Sequence, residues 1–121
     1  MTPDTPLKAR VIRPSQIAWE EAEQEDPNDT DPPGEVFTAA ESHDERFGVG
    51  LWQRDIERIR FDMAFTEVCY ILEGEVEITA EDGTVSVARA GDILVVPQGM
   101  KGRWTNLSPV KKVWATFEDQ V

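Results

Sequence analysis

Gly91-Asp92-Ile93-Leu94-Val95-Val96-Pro97-Gln98-Gly99-Met100-Lys101-Gly102-Arg103-Trp104-Thr105-Asn106 is the stretch whose reading decides the fold. Gly91-Asp92 opens a tight turn, and Ile93 to Val96 is a short apolar strand. Pro97 ends that strand where no ladder donor is needed, and Gly99 supplies the backbone freedom for the next reversal. The chain then returns as a second strand over Gly102–Asn106. The unbroken run Leu94-Val95-Val96 predicts a strand covered on both faces.

The same alternation of short strands and turns extends outward from this stretch. It predicts strands over Val36–Ala40, Phe47–Gln53, Arg58–Asp62, Glu67–Leu72, Glu75–Thr79, Thr84–Ala88, Asp92–Val96, Gly102–Asn106 and Lys112–Phe117, the signature of an all-β sandwich or barrel. The clearest hairpin joins Glu75–Thr79 to Thr84–Ala88 through Asp82-Gly83, a positive-φ turn pair. Residues 1–34 read differently. Asp26-Pro27-Asn28-Asp29-Thr30-Asp31-Pro32-Pro33-Gly34 is turn chemistry throughout, so this part is expected to be an irregular N-terminal arm beside a domain spanning 35–121. Within the arm, Val11-Ile12 predicts a short edge strand. Ser15 predicts a cap for a brief helix through Ile17, Trp19 and Ala22, with Glu20–Asp26 reading equally well as loop, and Trp19 is expected to pin the arm to the barrel.

The 121 residues suffice for one domain with one core. Net charge is −12, and residues 1–48 hold twelve of the 24 acids but four of the 12 bases. Such a surface repels phosphate backbones, which argues against nucleic acid as a partner. No apolar run approaches the roughly 20 residues that span a bilayer, and Met1–Arg10 lacks the basic-then-apolar order of a secretion signal. The single cysteine, Cys69, has no internal partner for a disulfide, so the cytoplasm is the expected compartment.

Two segments resemble the paired signatures of the cupin superfamily. The second cupin signature reads Gly, five residues, Pro, one residue, Gly, two residues, His, three residues, Asn. Gly91, Pro97, Gly99 and Asn106 meet every spacing, and Gly102 stands where the histidine belongs. In the first signature Glu67 and Gly74 match, while Phe61 and Met63 occupy the two histidine positions and Asp55 that of the opening glycine; the longer variant of the spacing puts Arg60 and Asp62 at the histidine positions instead. Over roughly residues 35–118, matches at Gly50-Leu51-Trp52, Glu67–Gly74, Gly91-Asp92, Pro97-Gln98-Gly99, Trp104 and Val110–Val113 are similar to the cupin domains of ureidoglycine aminohydrolases. The resemblance implies a single-domain cupin (RmlC-like) jelly-roll β-barrel, a homodimer, and a hint of ureide or amide chemistry.

A transition-metal centre wants imidazole and carboxylate ligands. Glu67 alone survives of the four ligand positions, and the only histidine, His43, lies in a polar loop outside both signatures. No metal or other cofactor is therefore expected, and the former metal site is expected to be drier and roomier. Alternation puts Glu67, Cys69 and Ile71 on one face of their strand, which the resemblance turns into the barrel together with Gly102, Trp104 and Asn106. A carboxylate walled by Phe61, Met63 and Trp104 suits a general acid or base; the competing reading is a structural ion pair with a base such as Lys112. Cys69 beside that carboxylate is a poor nucleophile. Tyr70 lies on the opposite face, which argues against a metal-free epimerase. Trp52, Trp104 and Trp114 offer an aromatic lining or ordinary packing, Trp114 reading as packing.

The candidate site is thus Glu67 as catalytic residue, with Trp52, Phe61, Met63, Cys69, Trp104, Asn106 and Lys112 binding a small molecule. Two functions stay open: a metal-independent enzyme on a small polar metabolite, and a non-catalytic binding or sensing module. Protein purified without added metal is expected to carry far less than one equivalent of iron, zinc, nickel or manganese by plasma emission spectrometry. A near-stoichiometric content of any of them contradicts the ligand count.

Overall fold

A computed structural model describes residues 7–119. Its regular structure is almost entirely β: β1 (Glu20–Glu21), β2 (Glu35–Glu41), β3 (Phe47–Arg54), β4 (Arg58–Asp62), β5 (Thr66–Glu73), β6 (Glu75–Ala80), β7 (Val85–Arg89), β8 (Ile93–Val96), β9 (Lys101–Asn106) and β10 (Val110–Phe117), with one 3-10 turn at Pro14–Gln16. All nine strands expected from alternation form, each within two residues of its expected ends. They build two antiparallel sheets, one in the order β1-β2-β3-β10-β5-β8 and the other β4-β9-β6-β7. This is the jelly roll that the glycine and proline framework implied. No helix among the described residues is long and apolar enough to cross a membrane.

Local chemistry sets the turns. Gly83 takes φ +89° between β6 and β7, the Asp82 side chain accepts from the Thr84 amide at 2.9 Å, and Thr79 faces Val85 across the hairpin. The quoted stretch folds similarly: Asp92 accepts from the Arg89 amide at 2.8 Å, and Gly91 and Gly99 both lie at positive φ. Between the sheets, Cys69, Ile71, Val76, Ile78, Ala88, Val96, Trp104 and Val110 form one buried cluster. Trp52 of β3 and Trp104 of β9 meet edge-to-face at 6.2 Å and tie one sheet to the other.

Two expectations need correction. Strand β8 is an edge strand, paired only with β5, so its outer side chains Ile93 and Val95 are 71% and 56% exposed while Val96 is buried. The apolar run signals a hydrophobic inner face and an apolar outer one beside Val68 and Tyr70, not a strand covered on both faces. In the arm, Val11 and Ile12 form no strand, and the expected helix through Ile17, Trp19 and Ala22 shrinks to a 3-10 turn over Pro14–Gln16 that contains Ser15, with Arg13 at the N-cap position making no side-chain cap hydrogen bond. The edge strand is instead Glu20-Glu21, which pairs with Val36 and Glu35 and is followed by a hydrogen bond from the Ala22 amide N–H to the Gly34 carbonyl at 2.8 Å. Backbone hydrogen bonding, rather than apolar burial, selects that segment, with half-buried Trp19 immediately before it.

Ile71 has no exposed surface, and cutting it back leaves a void between the sheets. Ile71→Ala is expected to lower unfolding free energy by about 2–5 kcal/mol in urea titrations; an unchanged midpoint would remove Ile71 from the core.

Candidate functional site

The barrel opens on a cavity of about 840 Å³. Strand alternation carries Trp52 (β3), Phe61 (β4), Glu67 (β5), Trp104 (β9) and Lys112 (β10) to its wall, and Met63, just beyond β4, joins them. The structure therefore brings together six of the eight candidate residues. Cys69 and Asn106 stand outside the lining. Cys69 is buried beneath it. The Asn106 amide is used within the fold, its Oδ1 accepting from Trp104 Nε1 at 2.9 Å and its Nδ2 donating to the Arg54 carbonyl at 3.0 Å. Trp114, expected as packing, lines the cavity as well as covering Gly48 and Gly50. His43 lies in the β2–β3 turn, away from the cavity.

At the floor, Lys112 Nζ donates to Glu67 Oε2 at 2.5 Å. Lys112 is 7% exposed, yet its ammonium lies 4.1 Å from the Trp104 ring centroid and 4.7 Å from that of Trp52. Alternation along β10 produces this placement, Lys112 facing inward with Trp114 and Thr116; opposite it β5 carries a bulge, Leu72 standing between Glu73, the partner of Lys111, and Ile71, the partner of Lys112. On its other side Lys112 pairs with Trp52 of β3. Burial, the largest single effect, works to discharge the ammonium, but the charge and hydrogen bond of the Glu67 carboxylate together with the charge of Glu57 leave the Lys112 pKa raised. Burial pushes the Cys69 thiol up to about 12, with Lys112 opposing and Glu67 reinforcing, so the thiol stays protonated.

The mouth is built by the arm. Arg54 at the end of β3 reaches Asp29 Oδ2 and Glu57 Oε1, both at 2.9 Å, and donates to the carbonyls of Pro32 and Asp31 at 2.9 and 3.2 Å. Arg58 forks onto both oxygens of Asp31 at 3.1 Å. The Arg54 hydrogen bond, with the Asp31 amide, lowers the Asp29 pKa. Burial raises that of Glu57 against the pull of Arg54 and Lys112. Sequence reasoning missed Arg54, Glu57, Asp29 and Asp31. The density of turn residues over 26–34 marked a fixed loop, but nothing local named its basic partner. Eight carboxylates and three cationic side chains line the cavity.

The model of the EutQ-like cupin domain family matches residues 41–114. The chain belongs to that family. Among solved structures, it resembles the Salmonella typhimurium LT2 protein assigned to ethanolamine utilization as EutQ, with TM-score 0.74 and 20% identity over 91% of this chain and 86% of that one. The Clostridium difficile EutQ protein gives 0.65 and 17% over 81% and 75%. A DUF861 family protein from Thermotoga maritima is more alike in sequence, 39% identical over 55% of this chain and 76% of that one, with TM-score 0.53. The comparison with curated proteins finds no match.

Many cupins hold a metal on imidazoles, and the residues of this chain do not fit one. No group of three or more His, Cys, Asp or Glu side chains converges among the described residues. Glu67, the surviving ligand position, is already bonded to a cation of the chain itself. The site is also not roomier at Gly102, contrary to the sequence expectation. A Cβ there would stand 2.4 Å from the Thr79 carbonyl oxygen and 3.2 Å from the Phe61 ring, so backbone and a replaced histidine position have closed over the vacated one.

Gly102→His is therefore expected not to restore a metal centre. It should cost about 1–3 kcal/mol of stability through overpacking and leave the urea midpoint unmoved by added zinc. Stoichiometric micromolar zinc binding to that variant would show that the strand can yield.

Proposed function

We propose that this EutQ-like cupin domain is a metal-independent binding or sensing module whose cavity receives a small neutral polar molecule of the amide or ureide class. The observation that carries the reading is the Glu67–Lys112 pair at the cavity floor. A carboxylate committed to a buried ammonium must give up that bond before it can exchange a proton with a substrate, and breaking a buried pair is costly. Cys69, its thiol protonated, offers no nucleophile in its place. What such a floor does well is present fixed dipoles and aromatic faces, the usual equipment of a recognition pocket.

Charge supports the ligand class. The majority of carboxylates around the cavity disfavours anions, and the ammonium at the floor disfavours a second cation there. Neutral hydrogen-bonding molecules escape both penalties. Likeness to ureidoglycine aminohydrolases in the motif residues points the same way. The alternative, an enzyme using Glu67 as acid or base, is separated by one experiment.

Primary amides, alkylureas, short carboxylates, alkylamines and ethanolamine, the last prompted by the Salmonella relative's assignment, are titrated into labelled protein. The indole N–H signals of Trp52 and Trp104 are followed by NMR. Saturable shifts are expected with amides or alkylureas, and the ligand's own spectrum should be unchanged after prolonged incubation. Binding confined to carboxylates or amines overturns the ligand class. Conversion of the ligand, lost in Glu67→Gln, overturns the binding reading in favour of catalysis.

A further inference from the structure

The floor of the cavity has the composition of a cation receptor, and its cation is part of the chain. A carboxylate and two indole faces surround one point: Glu67 Oε2 at 2.5 Å, the Trp104 centroid at 4.1 Å and the Trp52 centroid at 4.7 Å from Lys112 Nζ. Ring faces attract ammonium ions through their quadrupoles, most strongly where water is excluded. Among the described residues Glu67 is the only hydrogen-bond acceptor of Lys112, so the rest of the ammonium is accommodated by the rings. The three walls come from three strands, β3, β5 and β9. Lys112 enters from a fourth, β10, which lies between β3 and β5.

We propose that Trp52, Trp104 and Glu67 form an alkylammonium site occupied by the tethered Lys112 side chain, and that this internal cation takes the place a metal ion would otherwise hold on Glu67. The inference does not depend on what the cavity mouth binds. It explains why Glu67 can persist after the imidazole ligands are gone: its charge is compensated from within the chain, so loss of the metal leaves no unpaired buried carboxylate. It also assigns a selectivity. As long as Lys112 is in place, free amines and divalent cations are excluded from the floor.

The test removes the tether and keeps the walls. Lys112→Ala is expected to have a lower Tm than the unaltered protein. Millimolar n-propylammonium or n-butylammonium should raise the variant's Tm by about 4 °C or more, as a ligand bound only by the folded state does, and should leave the unaltered protein unmoved. Butanol at the same concentration should not rescue, and Glu67→Gln in the Lys112→Ala background should abolish the rescue. Equal responses of variant and unaltered protein, rescue by butanol, or no rescue of a folded variant overturns the proposal. Should Lys112→Ala fail to fold, the unaltered protein answers by NMR. The Lys112 Hε protons are expected upfield of ordinary lysine values because of the two rings, with a slowly exchanging ammonium signal visible near pH 6. Random-coil Hε shifts would overturn the aromatic site.

Discussion

A positive charge buried inside a barrel has to be answered there, and the answer given to Lys112 organises this protein. Its ammonium meets Glu67 from the neighbouring strand and two tryptophans, one from each sheet. Without Glu67 the ammonium would be uncompensated, and without Lys112 the carboxylate would be; either loss is of the order of 3–5 kcal/mol in comparable buried pairs. Trp52 and Trp104, meeting edge-to-face at 6.2 Å, serve at once as inter-sheet contact and as walls for the charge. The position of β10 between β3 and β5 places the lysine among them. Core packing and pocket chemistry are therefore the same set of atoms seen from two sides.

A second cluster governs access. Arg54 gathers the Asp29 carboxylate and two backbone carbonyls from a segment with no helix and no strand, and Glu57 from the turn after its own strand. It thereby fixes a turn-rich loop as one wall of the cavity. With Arg58 holding Asp31 and β1 laid along β2, the arm belongs to the pocket rather than to the periphery. Its acids do more than solvate the surface, since several of them face the cavity mouth.

Strand positions were legible because their signals are local: alternation at period two, and Gly, Pro, Asn or Asp at the turns. The floor was legible for the same reason. Once Glu67, Trp104 and the framework residues were placed in register, alternation turned them inward, and Lys112 stood out as a base able to face them. What the sequence hid was set by distance. Nothing in Leu94-Val95-Val96 distinguishes a covered strand from an edge strand with an apolar outer face. Glu20-Glu21 carries no apolar pattern because its pairing is made by backbone. The approach of the Thr79 carbonyl to Gly102 and the convergence of Arg54 on residues 29–32 exist only after β6, β9 and the arm have been brought together.

The floor also constrains the order of assembly. Glu67 and Lys112 are 45 residues apart, and β10 must enter between β3 and β5 for them to meet. Neither charge can leave water profitably before the other arrives, because a lone buried ion costs several kcal/mol. Hairpin-local pairings such as β6 with β7 carry no such condition and depend on short loop closures. Insertion of β10 between β3 and β5 therefore also brings the counter-charge that lets this part of the barrel dry.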